Sequence, residues 1–296
     1  MRRATPHKLS HKIFFLIRIF VSVVILFLLA YTSQFARIRT PDLKVWFFDI
    51  GQGDATFIET PNGQQILVDG GPDNSILQKL SSVMWPWDKT IDAIFVTHPD
   101  ADHITGLISV LDRYNVKAIY ETGVRGSTPM IIGLEKAMDE ERASRIITTQ
   151  GKSFEFDGAR MDILWPTLDA IAKEKERNNT SIVIRMSYGD SSFLLTGDAQ
   201  TEVEDDYAKL VGDIDVLKVG HHGSKTSTSV LLLKTIKPEF AIISDGVDNK
   251  YGHPHPIVLE RLKDIGAMIF RTDKDGDVLA KSDGVSLQVA PVFLPF

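Results

Sequence analysis

The stretch that decides the fold is His98-Pro99-Asp100-Ala101-Asp102-His103. It follows Ile94-Phe95-Val96-Thr97, an apolar run typical of a buried strand, and it precedes a helical pattern that begins at Ile104. Histidine nitrogens and carboxylate oxygens are ligands for divalent metals, and four such side chains lie within six residues at this strand-to-helix turn. A polar turn with an aspartate helix cap would explain one acid but not the two histidines. The run therefore predicts one corner of a metal site.

The other histidines beyond residue 40 also fall in clusters. Gly220-His221-His222-Gly223 follows the apolar run 216–219, and the loop Tyr251-Gly252-His253-Pro254-His255-Pro256 comes later. Scattered surface histidines would not cluster after predicted strands and in loops rich in glycine and proline. We therefore expect both clusters to join the first. A solvent-exposed loop at 221–222 and a stiff helix-capping loop at 253–255 stay open as alternatives.

A carboxylate after another strand pattern is a further candidate. The apolar run Phe193-Leu194-Leu195-Thr196 ends in Gly197-Asp198, which would place the Asp198 carboxylate at a strand terminus. There it could bridge two metals. By itself the pattern is weak, because Gly-Asp is an ordinary turn sequence, and both interpretations stay open.

The composition excludes several classes of chemistry. The 296 residues contain no cysteine, which excludes a disulfide, a thiolate nucleophile and a cysteine-ligated metal. Residues 1–40 carry seven lysines and arginines and no acid, so that with an overall net charge of −6 the remainder carries −13. A domain this acidic lacks the basic footprint of a protein that binds nucleic acid on its own, although a local basic groove could exist.

The N-terminal segment is strongly apolar. Residues 13–31 contain a single charge, Arg18, and the 18-residue window 19–36 contains none, which is close to the ~20 residues that a helix needs to span a bilayer. Four basic residues before Ile13 favour a cytoplasmic N-terminus and an exported domain. We predict a single-pass anchor in the cytoplasmic membrane within residues 1–40 and one domain over residues 41–296. A cleaved signal peptide, which would give a secreted protein, is the alternative.

Short strand patterns and helical patterns alternate along residues 41–296, with predicted strands at 45–50, 56–59, 65–69, 91–97, 117–120, 181–186, 192–196, 215–219, 240–244, 268–271, 278–280 and 285–289. Several strand patterns are apolar throughout, which is typical of strands buried on both faces. Strands come first and helices follow, and this order occurs twice. It predicts an α+β domain in which two mixed sheets pack face to face with helices outside. The polar stretch 172–179 is predicted to be an exposed loop.

Together these runs resemble the metallo-β-lactamase superfamily, and specifically the hydrolase domain of ComEC-type competence proteins. The resemblance covers nearly all of residues 44–292 and implies an αββα metallo-β-lactamase sandwich, with a metal centre at one edge of the two sheets. It rests on seven blocks in the same order, which are residues 48–55, 67–71, 97–106, 178–183, 194–198, 217–224 and 252–255.

The resemblance also implies roles for the candidate ligands. By motif position, His98 would serve one metal, Asp102 and His103 would serve the other, and Asp198 would bridge the two. One histidine of the 221/222 pair would complete the second position, with His222 slightly preferred over His221.

Other residues are assigned to the surroundings of the site in the same way. Asp69 fits the acid that orients the metal ligands from behind. Supporting positions near the site are Gln52, Asp54 and Asn179.

The chain departs from the superfamily pattern at two positions. Asp100 stands where a second histidine is usual, and Asn178 and Asn179 lie near the place of a histidine that usually precedes the bridging aspartate. The first metal position, with Asp100 as a candidate ligand, is therefore poorer in nitrogen, which favours manganese. ComEC-type domains are similar at both positions, so the departures do not indicate a dead enzyme.

These residues lead to a functional hypothesis. A metal-activated water attacks a phosphoester, with Asp102 or Asp198 as the base, and Lys225 or His253 holds the substrate anion or protonates the leaving group. One or two divalent ions, zinc or manganese, are the expected cofactors, and phosphoesters or nucleic acid are the expected substrates. Lactones, thioesters and β-lactams are alternative substrates. A non-catalytic metal-binding module of a DNA-uptake system is the alternative class. No protein partner is indicated.

Overall fold

The computed structural model describes residues 7–38, 42–173 and 176–294. They belong to two compact units that divide between Pro41 and Asp42, so the predicted boundary after residue 40 lies outside the described residues. The first unit contains the helix α1 (His7–Ile38). Among the described residues, no helix combines the length and the apolarity that the bilayer core requires, and the predicted transmembrane helix is therefore not supported.

The second unit alternates strands and helices in two successive series. Its strands are β1 (Leu43–Phe47), β2 (Thr56–Glu59), β3 (Gln65–Val68), β4 (Thr90–Val96), β5 (Asn115–Glu121), β6 (Ser144–Ile147), β7 (Ser153–Phe156), β8 (Ala159–Trp165), β9 (Val183–Tyr188), β10 (Ser191–Leu195), β11 (Val216–Lys218), β12 (Phe240–Ile243), β13 (Met268–Arg271), β14 (Asp277–Ser282) and β15 (Leu287–Val292). Its helices are α2 (Ser75–Val83), α3 (Ala101–Arg113), α4 (Pro129–Glu140), α5 (Leu168–Lys173), α6 (Thr201–Val211), α7 (Val230–Ile236), α8 (Pro256–Asp264) and α9 (Thr272–Asp275), with short 3-10 helices at Arg177–Thr180 and Gly220–Gly223.

The strands form two mixed sheets. The first has the order β15-β14-β1-β2-β3-β4-β5-β6 and the second the order β13-β12-β11-β10-β9-β8-β7. Neighbouring strands are parallel from β3 to β6 in the first sheet and from β10 to β13 in the second, and are otherwise antiparallel. The predicted pair of mixed sheets is therefore confirmed.

Three apolar layers hold this arrangement together. Side chains of both sheets, including the fully buried Phe47, Phe95 and Phe193, form the layer between the sheets. A second layer joins the outer face of the first sheet to α2, α3 and α4, and a third joins the second sheet to α6, α7 and α8. Burying one such large apolar side chain contributes roughly 1.5–3 kcal/mol, so these layers fix the sheets and helices as an αββα sandwich.

Three of the strands were absent from the sequence prediction, namely β6, β7 and β8. β7 and β8 form a hairpin whose turn is Asp157-Gly158, with φ of 47° and 86° at these two residues. Positive φ at both central residues is the requirement of a tight type I′ hairpin turn, and Asp-Gly is a preferred sequence for it. The signal was present in the sequence, since alternating apolar residues flank this pair on both sides.

The packing of the two sheets brings several strand ends together. His98 follows β4 in the first sheet, and Asp198 follows β10 in the second. The Nε2 atom of His98 lies 3.9 Å from the Oδ2 atom of Asp198. The carboxyl ends of strands from both sheets therefore meet at one edge of the sandwich, where the candidate site lies.

Candidate metal centre

Five buried or half-buried side chains converge at this edge. His98 stands directly beyond β4, and Asp102 and His103 lie in the first turn of α3. Asp198 comes from the loop after β10, and His222 from the 3-10 helix after β11. His98, His103, Asp198 and His222 are at most 3% exposed. The structure thus brings together residues that are up to 124 positions apart in the sequence.

Within the described residues, three groups of side chains are arranged so that each could hold a metal ion. In each group, one possible ligand atom per residue lies within 4.8 Å of the others. The groups are His98 with His103 and Asp198, Asp102 with His103 and His222, and Asp54 with Asp198 and His222. The first two share His103, and the first and third share Asp198.

The site contains buried polar atoms that lack hydrogen-bond partners within the described part of the chain. Among them are the Nε2 atoms of His98, His103 and His222 and the Oδ1 atom of Asp198. A buried polar atom left unsatisfied costs about 1–3 kcal/mol, so a cluster of four is not a stable feature by itself. Since all four atoms are metal-ligand types and face one another, a divalent cation fits the donor set.

Hydrogen bonds behind the site orient two of these histidines. The Nδ1 atom of His103 lies 2.8 Å from Oδ2 of Asp69, and the Thr97 hydroxyl donates to the same oxygen over 2.6 Å. The Nδ1 atom of His98 lies 3.0 Å from that hydroxyl. A proton on each Nδ1 atom would leave each Nε2 atom available to bind a metal. Hydrogen-bond partners behind metal-binding histidines usually orient the rings in this way. Asp69 thus occupies the position that the sequence predicted for it.

The electrostatics of the site also favour a bound cation. Burial by itself lowers the pKa of His222, but the carboxylates of Asp198 and Asp54 outweigh it and raise that pKa to about 10. Burial raises the pKa of Asp198, but His222 and His103 hold that pKa well below its usual range. The carboxylates therefore stay ionised and hold positive charge on the neighbouring rings, and a divalent metal would replace those protons.

The side chains of the two adjacent histidines have different surroundings. His222 Nε2 lies 3.4 Å from Oδ2 of Asp102 and 3.5 Å from Oδ2 of Asp198. The His221 side chain is 23% exposed, its Nε2 atom lies 3.8 Å from Oδ2 of Asp198 and 3.3 Å from Nδ2 of Asn178, and His221 belongs to none of the three metal-capable groups. Both histidines have positive φ, 49° and 54°, a conformation that costs of order 1–3 kcal/mol in a non-glycine residue and is concentrated at functional sites.

This difference predicts unequal effects of two substitutions. Loss of a residue that hydrogen-bonds to a metal ligand typically weakens metal binding about 10–100-fold. We expect His222→Ala to weaken zinc or manganese binding by more than this. We expect His221→Ala, the matched control, to weaken it much less. Titration of each purified variant with metal, in competition with a chromophoric chelator, measures both constants. Equal losses in the two variants would contradict this assignment.

Asp100 does not lie in any of the three groups. Its Oδ1 atom accepts a hydrogen bond of 2.7 Å from Nε of Arg177, and its Oδ2 atom is 4.0 Å from Nε2 of His98. Its side chain makes no capping bond to α3, so the alternative of an ordinary helix cap is not supported either. The ion pair with Arg177 keeps this carboxylate at the rim of the site, where its role as a ligand stays a prediction.

The two asparagines near the place of the missing histidine are not in these groups. The Nδ2 atom of Asn178 lies 3.3 Å from Nε2 of His221. Asn179 is 3% exposed, and its Oδ1 atom accepts from the amide of Gln200 at the start of α6. The predicted exposed loop is therefore wrong at Asn179, because the fold uses this side chain to join two loops.

The two predicted acid or anion-binding residues differ in position. The ring of His253 lies 5.7 Å from that of His221, whereas Lys225 is exposed and contacts none of the described ligand candidates. Burial and the neighbouring His222 and His221 lower the pKa of His253 to about 4. A lowered pKa does not favour His253 as the proton donor, and its role stays a prediction. His255 caps α8 through its side chain, as the helix-capping alternative predicted.

One feature of the site was missed in the sequence. Lys218 forms a buried ion pair with Asp54, with 2.8 Å between Nζ and Oδ2. Lysine is almost never fully buried unless it is paired, and Lys218 stands in the apolar run that leads to His221. A lysine within an otherwise apolar strand pattern was the sequence signal for this buried ion pair.

Comparison with known proteins assigns the class. Residues 48–244 match the model of the metallo-beta-lactamase superfamily, and the chain belongs to this superfamily. The solved structure of the metallo-beta-lactamase fold protein YhfI from Bacillus subtilis shares the fold, with a TM-score of 0.57 at 12% identity over 82% of this chain and 100% of that one.

Within the superfamily, the chain is similar to competence proteins, as the motifs predicted. It is 32% identical over 258 residues to ComE operon protein 3 of Bacillus subtilis, which covers 79% of this chain and 32% of that protein. It is 29% identical over 241 residues to competence protein ComA of Neisseria gonorrhoeae, which covers 79% of this chain and 31% of that protein. The chain therefore spans about a third of the length of these relatives, and the resemblance to ComEC-type domains is confirmed.

Proposed function

We propose that this protein is a metal-dependent phosphodiesterase. The observation that carries the proposal is the Asp198 carboxylate, which faces three histidine nitrogens that have no hydrogen-bond partner among the described residues: Nε2 of His98 at 3.9 Å, of His103 at 3.4 Å and of His222 at 3.5 Å. One carboxylate between two groups of nitrogen ligands suits one or two divalent cations, zinc or manganese. The hydrolase-type fold supports the same conclusion.

Each residue of the site has a distinct task in this proposal. His98, His103, Asp102 and His222 would hold the metal, and Asp198 would be shared between the metal positions. A divalent metal in such a site lowers the pKa of water and stabilises negative charge on a phosphoryl oxygen. Asp102, whose side chain is 35% exposed, faces solvent and can accept the proton of the attacking water.

The proposed substrate is an anionic phosphodiester, and a strand of nucleic acid is one form of it. The competence relatives support a setting in DNA uptake. Arg177, which pairs with Asp100, and the exposed Lys225 are basic residues close in sequence to Asn178 and His222 in an otherwise acidic domain. Export of the domain and its attachment to a membrane stay predictions.

The experiment that tests the function is a hydrolysis assay of the full chain. Bis-p-nitrophenyl phosphate is offered with added Mn²⁺ or Zn²⁺, and release of p-nitrophenol is the expected result. Lactone, thioester and β-lactam substrates form the comparison panel. Hydrolysis of one of these instead of the phosphodiester would replace the proposed activity, and metal binding without any hydrolysis would favour the non-catalytic module.

The side chains beside His253 support a substrate that carries a base. Tyr251 is 57% exposed and stacks on the ring of His253, with centroids 5.8 Å apart and planes 24° apart. Nζ of Lys250 lies 5.2 Å from the Tyr251 ring centre. An exposed aromatic ring beside positive charge is the usual platform on which a base of single-stranded nucleic acid stacks.

This arrangement predicts a substrate-dependent effect of Tyr251→Ala. Base stacking is worth about 1–3 kcal/mol, so we expect KM for a nucleoside p-nitrophenyl phosphodiester to rise by at least about fivefold. KM for bis-p-nitrophenyl phosphate, which has no base, should change little. Tyr251→Phe, which keeps the ring, is the control. If both substrates lose equally, the tyrosine does not bind a base.

A further inference from the structure

A buried ion pair lies behind His222 and joins a loop of the first sheet to a strand of the second sheet. Asp54 belongs to the loop between β1 and β2, and Lys218 is the last residue of β11 in the other sheet. Their side chains are 6% and 3% exposed, and 2.8 Å separates Oδ2 from Nζ. Lys218 also donates to the carbonyl of Val219 over 3.2 Å. The position of Asp54 is therefore fixed from the second sheet.

The loop reaches this position through a glycine. Gly53 has a φ of 147°, and a Cβ atom here would collide with the carbonyl oxygen of Asp102. The amide of Asp54 donates to the same oxygen over 3.3 Å. The backbone of this loop therefore lies directly against the first turn of α3, and it places Asp54 beside the ligands.

The other oxygen of Asp54 faces His222. Oδ1 lies 3.4 Å from Nδ1 of His222 and has no hydrogen-bond partner among the described residues. The same Nδ1 atom lies 3.0 Å from the carbonyl oxygen of Ser244. Since both neighbours are acceptors, Nδ1 must carry the proton. When a metal replaces the proton on Nε2, the lone pair of that atom faces Asp102 and Asp198.

We propose that Lys218 and Asp54 form a positioning pair that holds His222 in the tautomer and orientation required for metal binding. The proposal rests on the metal-binding part of the proposed function. The negative charge of Asp54, 3.4 Å from Nδ1, favours a proton on that atom together with the hydrogen bond to the Ser244 carbonyl, and it would make His222 a stronger ligand, as carboxylates behind metal-bound histidines do. Lys218 balances the charge of Asp54 and keeps that carboxylate from competing for the metal itself.

Metal affinity in a set of neutral variants tests the pair. Asp54→Asn, Lys218→Met and the double variant are compared with the wild type by titration of Zn²⁺ against a chromophoric chelator. We expect Asp54→Asn and the double variant to bind zinc about 10–100-fold more weakly. The matched control is the pair Lys79 and Asp277, also buried and 2.8 Å apart but not part of the three metal-capable groups. Lys79→Met/Asp277→Asn should leave zinc affinity unchanged.

Folding defects do not prevent the test. If Lys218→Met leaves Asp54 uncompensated and fails to fold, the double variant, which has neither charge, decides. The tautomer of His222 in the zinc-loaded wild type is a second readout, from long-range ¹H–¹⁵N correlation spectra. A proton on Nδ1 is expected, and an unprotonated Nδ1 would overturn the proposal. Wild-type zinc affinity in the Asp54→Asn and double variants would also overturn it.

The outcome is separable from the fate of the phosphodiesterase proposal. Zinc bound by the wild type and weakened in Asp54→Asn would support the positioning pair even if no phosphodiester were hydrolysed. Hydrolysis with unchanged zinc affinity in the variants would leave the enzyme proposal intact and remove the role of the pair.

Discussion

Replacing Asp198 by asparagine is expected to reduce hydrolysis of bis-p-nitrophenyl phosphate by at least about 10³-fold, because a contribution of several kcal/mol is lost with the charge. Asp198 belongs to two of the three metal-capable groups. The substitution keeps the size of the side chain but removes the charge that attracts a cation. Initial rates at saturating Mn²⁺ or Zn²⁺, together with metal content after gel filtration, measure the effect.

Asp215→Asn is the matched control for this substitution. Asp215 immediately precedes β11, whereas Asp198 follows the neighbouring strand β10. Asp215 is half-buried and accepts hydrogen bonds from the amide and the hydroxyl of Ser192, so its removal tests structural loss alone. Activity should survive in Asp215→Asn. Unchanged activity in Asp198→Asn would remove the central support for the proposed function.

Removal of metal is expected to abolish hydrolysis and to lower the melting temperature. A ligand present at about 100 times its Kd stabilises the native state by about 2.7 kcal/mol. For a domain of this size that corresponds to a decrease of about 5–10 °C when the metal is removed. Without the metal, histidine nitrogens and closely spaced carboxylates of the site lose their common partner, and the free energy of unfolding decreases. Thermal unfolding before and after dialysis against a chelator measures the decrease.

Metal specificity is tested by restoring the dialysed protein. Mn²⁺ or Zn²⁺ should restore both activity and melting temperature, and the chelator should shift Asp198→Asn much less than the wild type. A melting temperature that does not respond to chelator or metal would show that no cation contributes to the native state. Imidazole nitrogens suit zinc and carboxylates suit manganese, and the three groups contain both, so the comparison of the two ions is informative.

The sequence predicted the architecture because its strand and helix patterns are local. The alternation of apolar strands and amphipathic helices was sufficient for two mixed sheets with helices outside. Strands such as β7 were missed although residues 153–156 alternate between polar and aromatic side chains. Four residues are the shortest alternating run that indicates a half-buried strand, and this one was not recognised.

The site was predictable to the extent that its residues follow strand ends. His98, Asp198 and the 221/222 pair each come after an apolar run, and the sheets bring these ends to one edge. Which of the adjacent rings of His221 and His222 the turn directs into the buried cluster needed the structure, and the role of His222 as the ligand stays a prediction. Adjacent residues in such a turn point in different directions that residue type alone does not specify.

The run at 98–103 shows what the sequence by itself determined about this protein. Its histidines and aspartates are close together because a strand and a helix are joined by a short turn, and this proximity is encoded locally. Only the tertiary structure decided that Asp100 pairs with Arg177, 77 positions away, and that Lys218 holds Asp54, 164 positions away. These partners meet because the two sheets and their loops pack against each other, and packing between distant segments leaves no periodic pattern in the sequence.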